Sequence, residues 1–525
     1  MIEDMSRPTW FGLPALFFRT RRQPQVEPAP QGLVLSGGGS RAAFQIGALR
    51  YLYEHTSFSP TTITATSGGA ILGALLAQWP DRDHQLRSLR EIEQLWLGME
   101  QQADMFSERN WFAMLRREGP DWLKLVPRPS PAQGNHNRST RARTHTPRTQ
   151  STAMDELAAG TADDMEDADP QQAVLAMAVA DESAEALSWS PSMMLHLVNT
   201  IPRIGRAGAD LAAALNAAER SRSLYRPGPL ITQLLSPELF QASRIAGSGM
   251  RLRVSMVGLD SGELRYMRED GVLVDRADQP INDDHFDVSL GVLASCSMPG
   301  VFKPVEMDGE WYVDGGVREN IPLEIGIEHL GMVKPYVIAA AAPGVPSADF
   351  ASRDVVSIML RVGLLQSDES DRDELAYARS AGAVVIAPQL PLHDGMTVDP
   401  GLLAIDRDYG WLRAAEVVTG ADDSVQQLHA EIISTRLKAW RLETDLLMSS
   451  QAHAGSPAEL SVDDVAAPGS TDDLEELGRL KARIRFLLTQ ADPTLLPDHP
   501  EHWWTGFEPH PAAFGGTDAQ LMPIM

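Results

Sequence analysis

The residues best placed to do chemistry are a serine, an aspartate and a run of glycines. Ser67 stands in Thr62-Ile63-Thr64-Ala65-Thr66-Ser67-Gly68-Gly69, where a β-branched run stops and a helical run rich in Ala, Ile and Leu begins. Strand, then x-Ser-x-Gly, then helix is the pattern of a nucleophile elbow, which exposes a serine hydroxyl above a sheet. The same serine also suits the N-cap of a helix over 69–78. Asp314-Gly315-Gly316 ends the extended run Trp311-Tyr312-Val313. An aspartate there can reach across a cleft with little crowding, although Asp-Gly turns occur in any fold. Gly37-Gly38-Gly39 follows the buried-strand signal Leu33-Val34-Leu35 and precedes a helical run carrying Phe44, Leu49 and Leu52. A glycine loop between strand and helix presents free backbone N–H groups at the positive end of the helix. Such a loop can hold a phosphate or a transient oxyanion.

Two chemistries compete for that loop. Gly37, Gly39 and Ala42 match the spacing of a dinucleotide fingerprint. That fingerprint needs a carboxylate at the end of the second strand to hold a ribose. Glu54 lies near the required distance but belongs to the helical run, and the second strand ends in Ser67-Gly68-Gly69. The ribose then has no obvious acceptor, and the dinucleotide reading weakens.

The elements that must position these groups sit in a chain of 525 residues with a formal net charge of −26. That charge opposes binding to a nucleic-acid backbone, which needs a basic face. The single cysteine, Cys296, excludes an intramolecular disulfide and a thiolate metal cluster. No stretch approaches the ~20 apolar residues of a membrane span. The longest candidate, Trp10 to Phe18, has Glu3 and Asp4 before it and Arg19, Arg21 and Arg22 after it, the wrong flanks for a secretory signal. A cytoplasmic location is expected, with peripheral membrane contact through residues 10–22 as one reading of that segment. A tail docked on its own domain is the other.

Composition divides the chain into an aromatic-basic segment with a Pro-rich link (1–31), an α/β domain (32–420) and a C-terminal helical extension (421–525). Within the domain, 126–172 is basic and Thr-rich in its first half and acidic in its second, and it is expected to be disordered. Two late amphipathic patterns predict helices on either side of a linker at 449–471.

Together the motifs resemble the patatin-like phospholipases and lipid acyl hydrolases. The family's oxyanion motif appears as Gly37-Gly38-Gly39-Ser40-Arg41, with Ala42 where a glycine usually follows. Its nucleophile motif appears as Ala65-Thr66-Ser67-Gly68-Gly69, with Ala65 for the usual glycine, and Asp314-Gly315-Gly316 is intact. A connecting block runs from Ala294-Ser295 through Ser297-Met298-Pro299-Gly300 to Phe302-Lys303-Pro304. The resemblance covers about 32–420 and rests on the order and spacing of the motifs.

It implies a three-layer α/β/α domain with a central, mostly parallel sheet. It further implies a Ser67–Asp314 dyad without histidine, with Gly37, Gly38, Gly39 and Arg41 forming the oxyanion hole and Gly69, Gly315, Gly316 and Pro299 shaping it. The implied substrate is an acyl lipid, cleaved as by a phospholipase A, lysophospholipase or carboxylesterase, with no metal or organic cofactor. A Ser-His-Asp hydrolase using His393 is the enzymatic alternative, since His329 falls within the helical run 323–330. An inactive membrane-associated scaffold is the non-enzymatic one.

Overall fold

The computed structural model describes residues 31–114, 117, 222–345, 355–454 and 470–511. The segment at 10–22 and the insertion at 126–172 lie outside the described residues. The first strand explains the layering. In β1 (Gln31–Leu35), Leu33 and Leu35 join the main core, whereas Val34 joins a second core with Ile321, Leu323, Val337, Leu375 and Ala378. A strand that is apolar on both faces needs cover on both, which is the condition of a parallel sheet between two helical layers.

The chain builds that sheet by alternation. After the glycine loop come α1 (Ala42–His55), β2 (Pro60–Ala65), α2 (Ser67–Ala77) and α3 (Arg82–Leu97), the last capped by the Asp81 side chain on the His84 N–H. Strands β3 (Phe106–Glu108) and β4 (Tyr225–Pro227) pair apart from the main sheet, and the short helices α4 (Pro229–Leu234) and α5 (Ala242–Ser248) follow. A meander then runs through β5 (Arg251–Gly258), β6 (Leu264–Arg268), β7 (Val272–Val274) and β8 (Pro280–His285) to α6 (Val288–Ser295). The hairpin of β9 (Val305–Met307) and β10 (Glu310–Asp314) precedes α7 (Leu323–Glu328), β11 (Tyr336–Ile338), α8 (Val355–Ser380) and β12 (Val384–Ile386).

The fold is a three-layer α/β/α sandwich. Its main sheet runs β12-β11-β1-β2-β5-β6-β7-β8, with β10 joining β5. The expected parallel order holds from β12 to β5. Beyond β5 every pairing is antiparallel, so the sheet as a whole is mixed. The reason is local: β5 to β8 are joined by short turns, which allow only antiparallel neighbours.

One pairing places the site. β5 is shared along the same edge by two strands. β2 runs parallel to its first half and ends with Ala65 opposite Val254. β10 runs antiparallel to its second half and ends with Asp314 opposite Met256. The two strands therefore finish towards each other over Ser255.

At the far end of the chain lie α9 (Pro400–Thr419), α10 (Asp423–Ala454), α11 (Ser470–Leu488) and α12 (His502–Thr505). α10 extends five residues beyond 449, where the linker was expected to begin. α9 packs on α1 where Gly47 and Gly410 allow contact with the Arg407 and Phe44 backbones. A buried ionic network joins these helices: Arg436 on α10 pairs with Asp408 on α9 and with Glu508, each at 2.8 Å. Lys481 on α11 pairs with Glu443 on α10 at 2.6 Å. Among the described residues no helix is long and apolar enough to cross a membrane.

Candidate active site

Ser67 is the first residue of α2 and has φ of +53°, a left-handed conformation that a side chain adopts only under constraint. Such a residue costs about 1–3 kcal/mol unless its surroundings fix it. The surroundings do so. The Ser67 N–H donates to Ser295 Oγ at 2.8 Å, and Cys296 Sγ donates to the Ser67 carbonyl at 3.2 Å. The preceding Thr66 N–H donates to the Leu35 carbonyl, and its hydroxyl pairs with Ser255 Oγ at 2.6 Å. The N-cap of α2 is Thr66 in extended conformation, and no side chain caps the helix, so the Ser67 hydroxyl is not used as a cap. Gly69 is required by close approach, because a Cβ there would stand 2.5 Å from the Ser36 carbonyl and 2.9 Å from Leu35 Cβ.

Asp314 faces Ser67 because of the shared edge of β5. Its N–H donates to the Ser297 carbonyl at 3.0 Å, and one carboxylate oxygen accepts the Gly316 N–H at 2.8 Å. The Ser67 side chain lies beside this carboxylate and favours its ionised form. Burial raises the Asp314 pKa to about 6, against the opposing pull of Ser67 and the Gly316 N–H. Gly315 lets the chain turn away over Ser255, since a Cβ would run into the Ser255 hydroxyl.

The glycine loop sits over the other side of Ser67. A Cβ on Gly37 would stand 3.0 Å from Ser67 Cβ, and one on Gly68 would stand 3.3 Å from the Gly39 nitrogen. The three amides are not equivalent. The Gly37 N–H donates to Asn320, to its Oδ1 at 2.9 Å and its carbonyl at 3.3 Å. The Gly37 N–H is thus already engaged. Among the described residues neither the Gly38 nor the Gly39 N–H has an acceptor. Arg41 braces the loop: its Nε donates to the Gly38 carbonyl at 3.3 Å. Burial lowers its pKa, while Asp406, Asp371 and Asp394 oppose that shift.

Gly39 has φ of +58°, and a Cβ would collide with the Gly395 carbonyl, which also accepts the Ser40 N–H at 2.9 Å. Gly39→Ala is therefore expected to displace the loop and lower kcat by about 10²-fold, the scale of losing one oxyanion donor. Steady-state kinetics on a soluble acyl ester check this, and a kcat within threefold of wild type would refute it.

The remaining expected residues separate. Pro299 is exposed in the turn after α6 and touches neither Ser67 nor Asp314 through a hydrogen bond. Ala42 and Ala65 are fully buried in the main core, so the two departures from the family pattern are absorbed by packing. Glu54 lies within α1 and pairs with Arg50 and Arg90, away from any strand end. His329 is exposed at the end of α7. His393 is engaged elsewhere: its Nδ1 meets the Asp394 carbonyl at 2.8 Å and its Nε2 lies 3.5 Å from Asp406. Burial disfavours its protonation, but Asp406 and the Asp394 carbonyl together outweigh it and the pKa is raised.

Sequence reasoning missed Ser255, Ser295, Asn320, Asp371 and Glu374. Asn320 Nδ2 donates to Asp371 Oδ1 at 2.8 Å, and the Asn320 and Ile321 N–H groups donate to Glu374. Burial raises Asp371 to about 6 and Glu374 to about 8. Ser295 was visible in the connecting block, and Asn320 follows the Asp-Gly-Gly turn in Val317-Arg318-Glu319-Asn320, but their roles depend on long-range pairing.

A family model described as patatin-like phospholipase matches residues 33–327, more than half of the chain. Among solved structures the chain is similar to VipD from Legionella pneumophila, at 14% identity over 95% of this chain and 94% of that one, with a TM-score of 0.32. It is similar to the type III effector protein ExoU at 12% identity over 88% of this chain and 75% of that one, with a TM-score of 0.22. A third likeness is to full-length ExoU crystallised with full-length SpcU, from the type III secretion system of Pseudomonas aeruginosa. It has 14% identity over 89% of this chain and 71% of that one, and a TM-score of 0.23. No curated protein sequence matches the chain.

Proposed function

The chain belongs to the patatin-like phospholipase family, a hydrolase of carboxylic ester bonds in acyl lipids, and on that premise we propose that it works through a Ser67–Asp314 dyad. The observation that carries this reading is the meeting of the two residues over β5, with Asp314 buried and Ser67 held at positive φ. Ser67 Oγ attacks the ester carbonyl while its proton passes to Asp314. A carboxylate is a weak base for a hydroxyl, so transfer is concerted with attack, and the raised Asp314 pKa narrows the gap. The Gly38 and Gly39 N–H groups receive the oxyanion. Collapse expels the alcohol, which takes the proton from Asp314 and leaves an acyl-Ser67. Water then gives a proton to Asp314 and attacks the acyl group. Collapse releases the fatty acid, and the Asp314 proton returns to Ser67. The same arrangement serves a phospholipase A, a lysophospholipase or a carboxylesterase.

Reaction of the protein with a fluorophosphonate, followed by peptide mass spectrometry, tests the assignment. The expected adduct is on Ser67, and a folded His393→Gln variant is expected to label at a comparable rate. An adduct on another serine would sink the elbow assignment. Loss of labelling in His393→Gln would favour the Ser-His-Asp alternative, and an unlabelled wild type would favour a scaffold.

A further inference from the structure

Asn320 lies six residues beyond Asp314, and its side chain crosses back to the glycine loop on the opposite side of the site. Its amide is fixed from both ends. The Gly37 N–H can pair only with an acceptor, and it meets Oδ1 at 2.9 Å. The Asp371 carboxylate meets Nδ2 at 2.8 Å. A backbone donor on one side and an acid acceptor on the other leave one orientation of the amide that satisfies both. The backbone is fixed as well. The Asn320 N–H donates to Glu374 at 3.1 Å and the Ile321 N–H at 2.6 Å. Asp371 and Glu374 are three apart on α8 and so project from one face of that helix.

Space for the amide comes from two glycines. A Cβ on Gly37 would collide with Asn320 Oδ1, and one on Gly316 would stand 3.2 Å from it. The amide therefore lies between the loop that carries the free N–H groups and the turn that carries the acid.

We propose that Asn320 is a positioning residue for the reaction, tying the oxyanion loop to the Asp314 turn, with Asp371 setting the direction of its amide. By taking the Gly37 N–H it leaves Gly38 and Gly39 as the oxyanion donors and fixes their distance from Ser67. It touches no reacting atom. This role rests on the Ser67–Asp314 reading, because it is defined by that reaction.

The test compares wild type with Asn320→Ala, Asn320→Asp and the double variant Asn320→Asp/Asp371→Asn. The readouts are kcat and KM on a soluble p-nitrophenyl acyl ester and hydrogen exchange of the peptide spanning Gly37 to Gly39. Asn320→Ala is expected to lower kcat about 10- to 100-fold with KM within about twofold, and to speed exchange in that peptide. Asn320→Asp sets two carboxylates face to face and is expected to lose as much. The double variant restores the bond with its polarity reversed. The amide introduced at position 371 donates to the carboxylate introduced at position 320, whose other oxygen still accepts the Gly37 N–H. This variant is expected to recover about tenfold of the kcat lost by Asn320→Asp.

A kcat of Asn320→Ala within twofold of wild type would overturn the proposal, as would equal impairment of the single Asn320→Asp variant and the double variant. Should Asn320→Ala fail to fold, the comparison of those two variants decides. Unchanged exchange in folded Asn320→Ala overturns this inference alone. A wild type that does not react overturns the dyad, and the role assigned to Asn320 with it.

Discussion

Ser67→Ala is expected to lower acyl-ester hydrolysis by roughly 10⁴- to 10⁶-fold, the scale on which loss of a serine nucleophile is felt in other hydrolases. The substitution removes one oxygen and leaves the turn in place. The Ser295 and Leu35 partners of the elbow bind backbone groups, which alanine retains. Alanine also keeps the cost of the positive φ, so melting should move little. Ser67→Gly is the informative companion. Glycine adopts φ of +53° freely, so this variant should be equally inactive yet more stable than wild type by up to about 1 kcal/mol. Hydrolysis of a p-nitrophenyl acyl ester and of phospholipid in mixed micelles, with thermal melts of all three proteins, checks both statements. Residual activity above about 1% in Ser67→Ala would place the nucleophile elsewhere.

Asp314→Asn is expected to lower kcat by roughly 10³- to 10⁴-fold, by analogy with loss of the acid from a triad. Asparagine can still accept the Gly316 N–H through Oδ1, so the turn is kept while the base is lost. On the proposed mechanism Asp314 must be ionised to act as base, and its pKa is held at about 6 chiefly by burial. The kcat profile should therefore climb through pH 6 to a plateau above pH 7, rather than through the usual carboxylate range.

The same shift acts on stability with the opposite sense. The folded chain holds this proton more tightly than the unfolded one, at about 6 against 3.8. The stability contributed by the group is full below about pH 4 and is lost as pH rises through 6, a cost of roughly 3 kcal/mol at neutrality. Asp314→Asn removes that cost and should melt higher than wild type at pH 7.5 while being inactive. A variant that is inactive and less stable would mean that the carboxylate holds the fold. A kinetic midpoint near 4 would mean that Asp314 is solvated.

Much of this site could be read along the chain because its parts are local. The alternation of Leu33-Val34-Leu35 with the helical run after Gly39 identifies a strand, a loop and a helix, and these became β1, the glycine loop and α1. The elbow was legible in the same way, and the family resemblance, more than the tripeptide itself, favoured a nucleophile over a cap at Ser67. What could not be read is pairing at a distance. Nothing near Trp311 says that β10 will occupy the second half of the edge that β2 leaves free on β5, yet that sharing brings residues 67 and 314 together. The meander from β5 to β8 escaped the parallel reading because its strands are short and carry no helical crossovers. The unequal duties of Gly37, Gly38 and Gly39 were equally hidden, since they depend on Asn320 and on Asp371, which is 51 positions further on.

The buried charges at the end of the chain set limits on its modularity. Asp406 and Asp408 lie two residues apart on α9 and so face different ways. The first sits beside His393 and Arg41, the second beside Arg436, which is itself fully buried. A chain cut after Gly420 would uncover Asp408 and leave it with Arg407 as its ionic partner. It would lose Arg436, along with the Trp503 N–H that donates to the same carboxylate at 3.0 Å. The cut would also expose the apolar face of α9 that packs against α10. The helical extension is therefore no detachable appendage. It shares a buried ionic network with α9, and a homologous domain grafted in place of residues 32–420 would have to bring its own partner for Arg436.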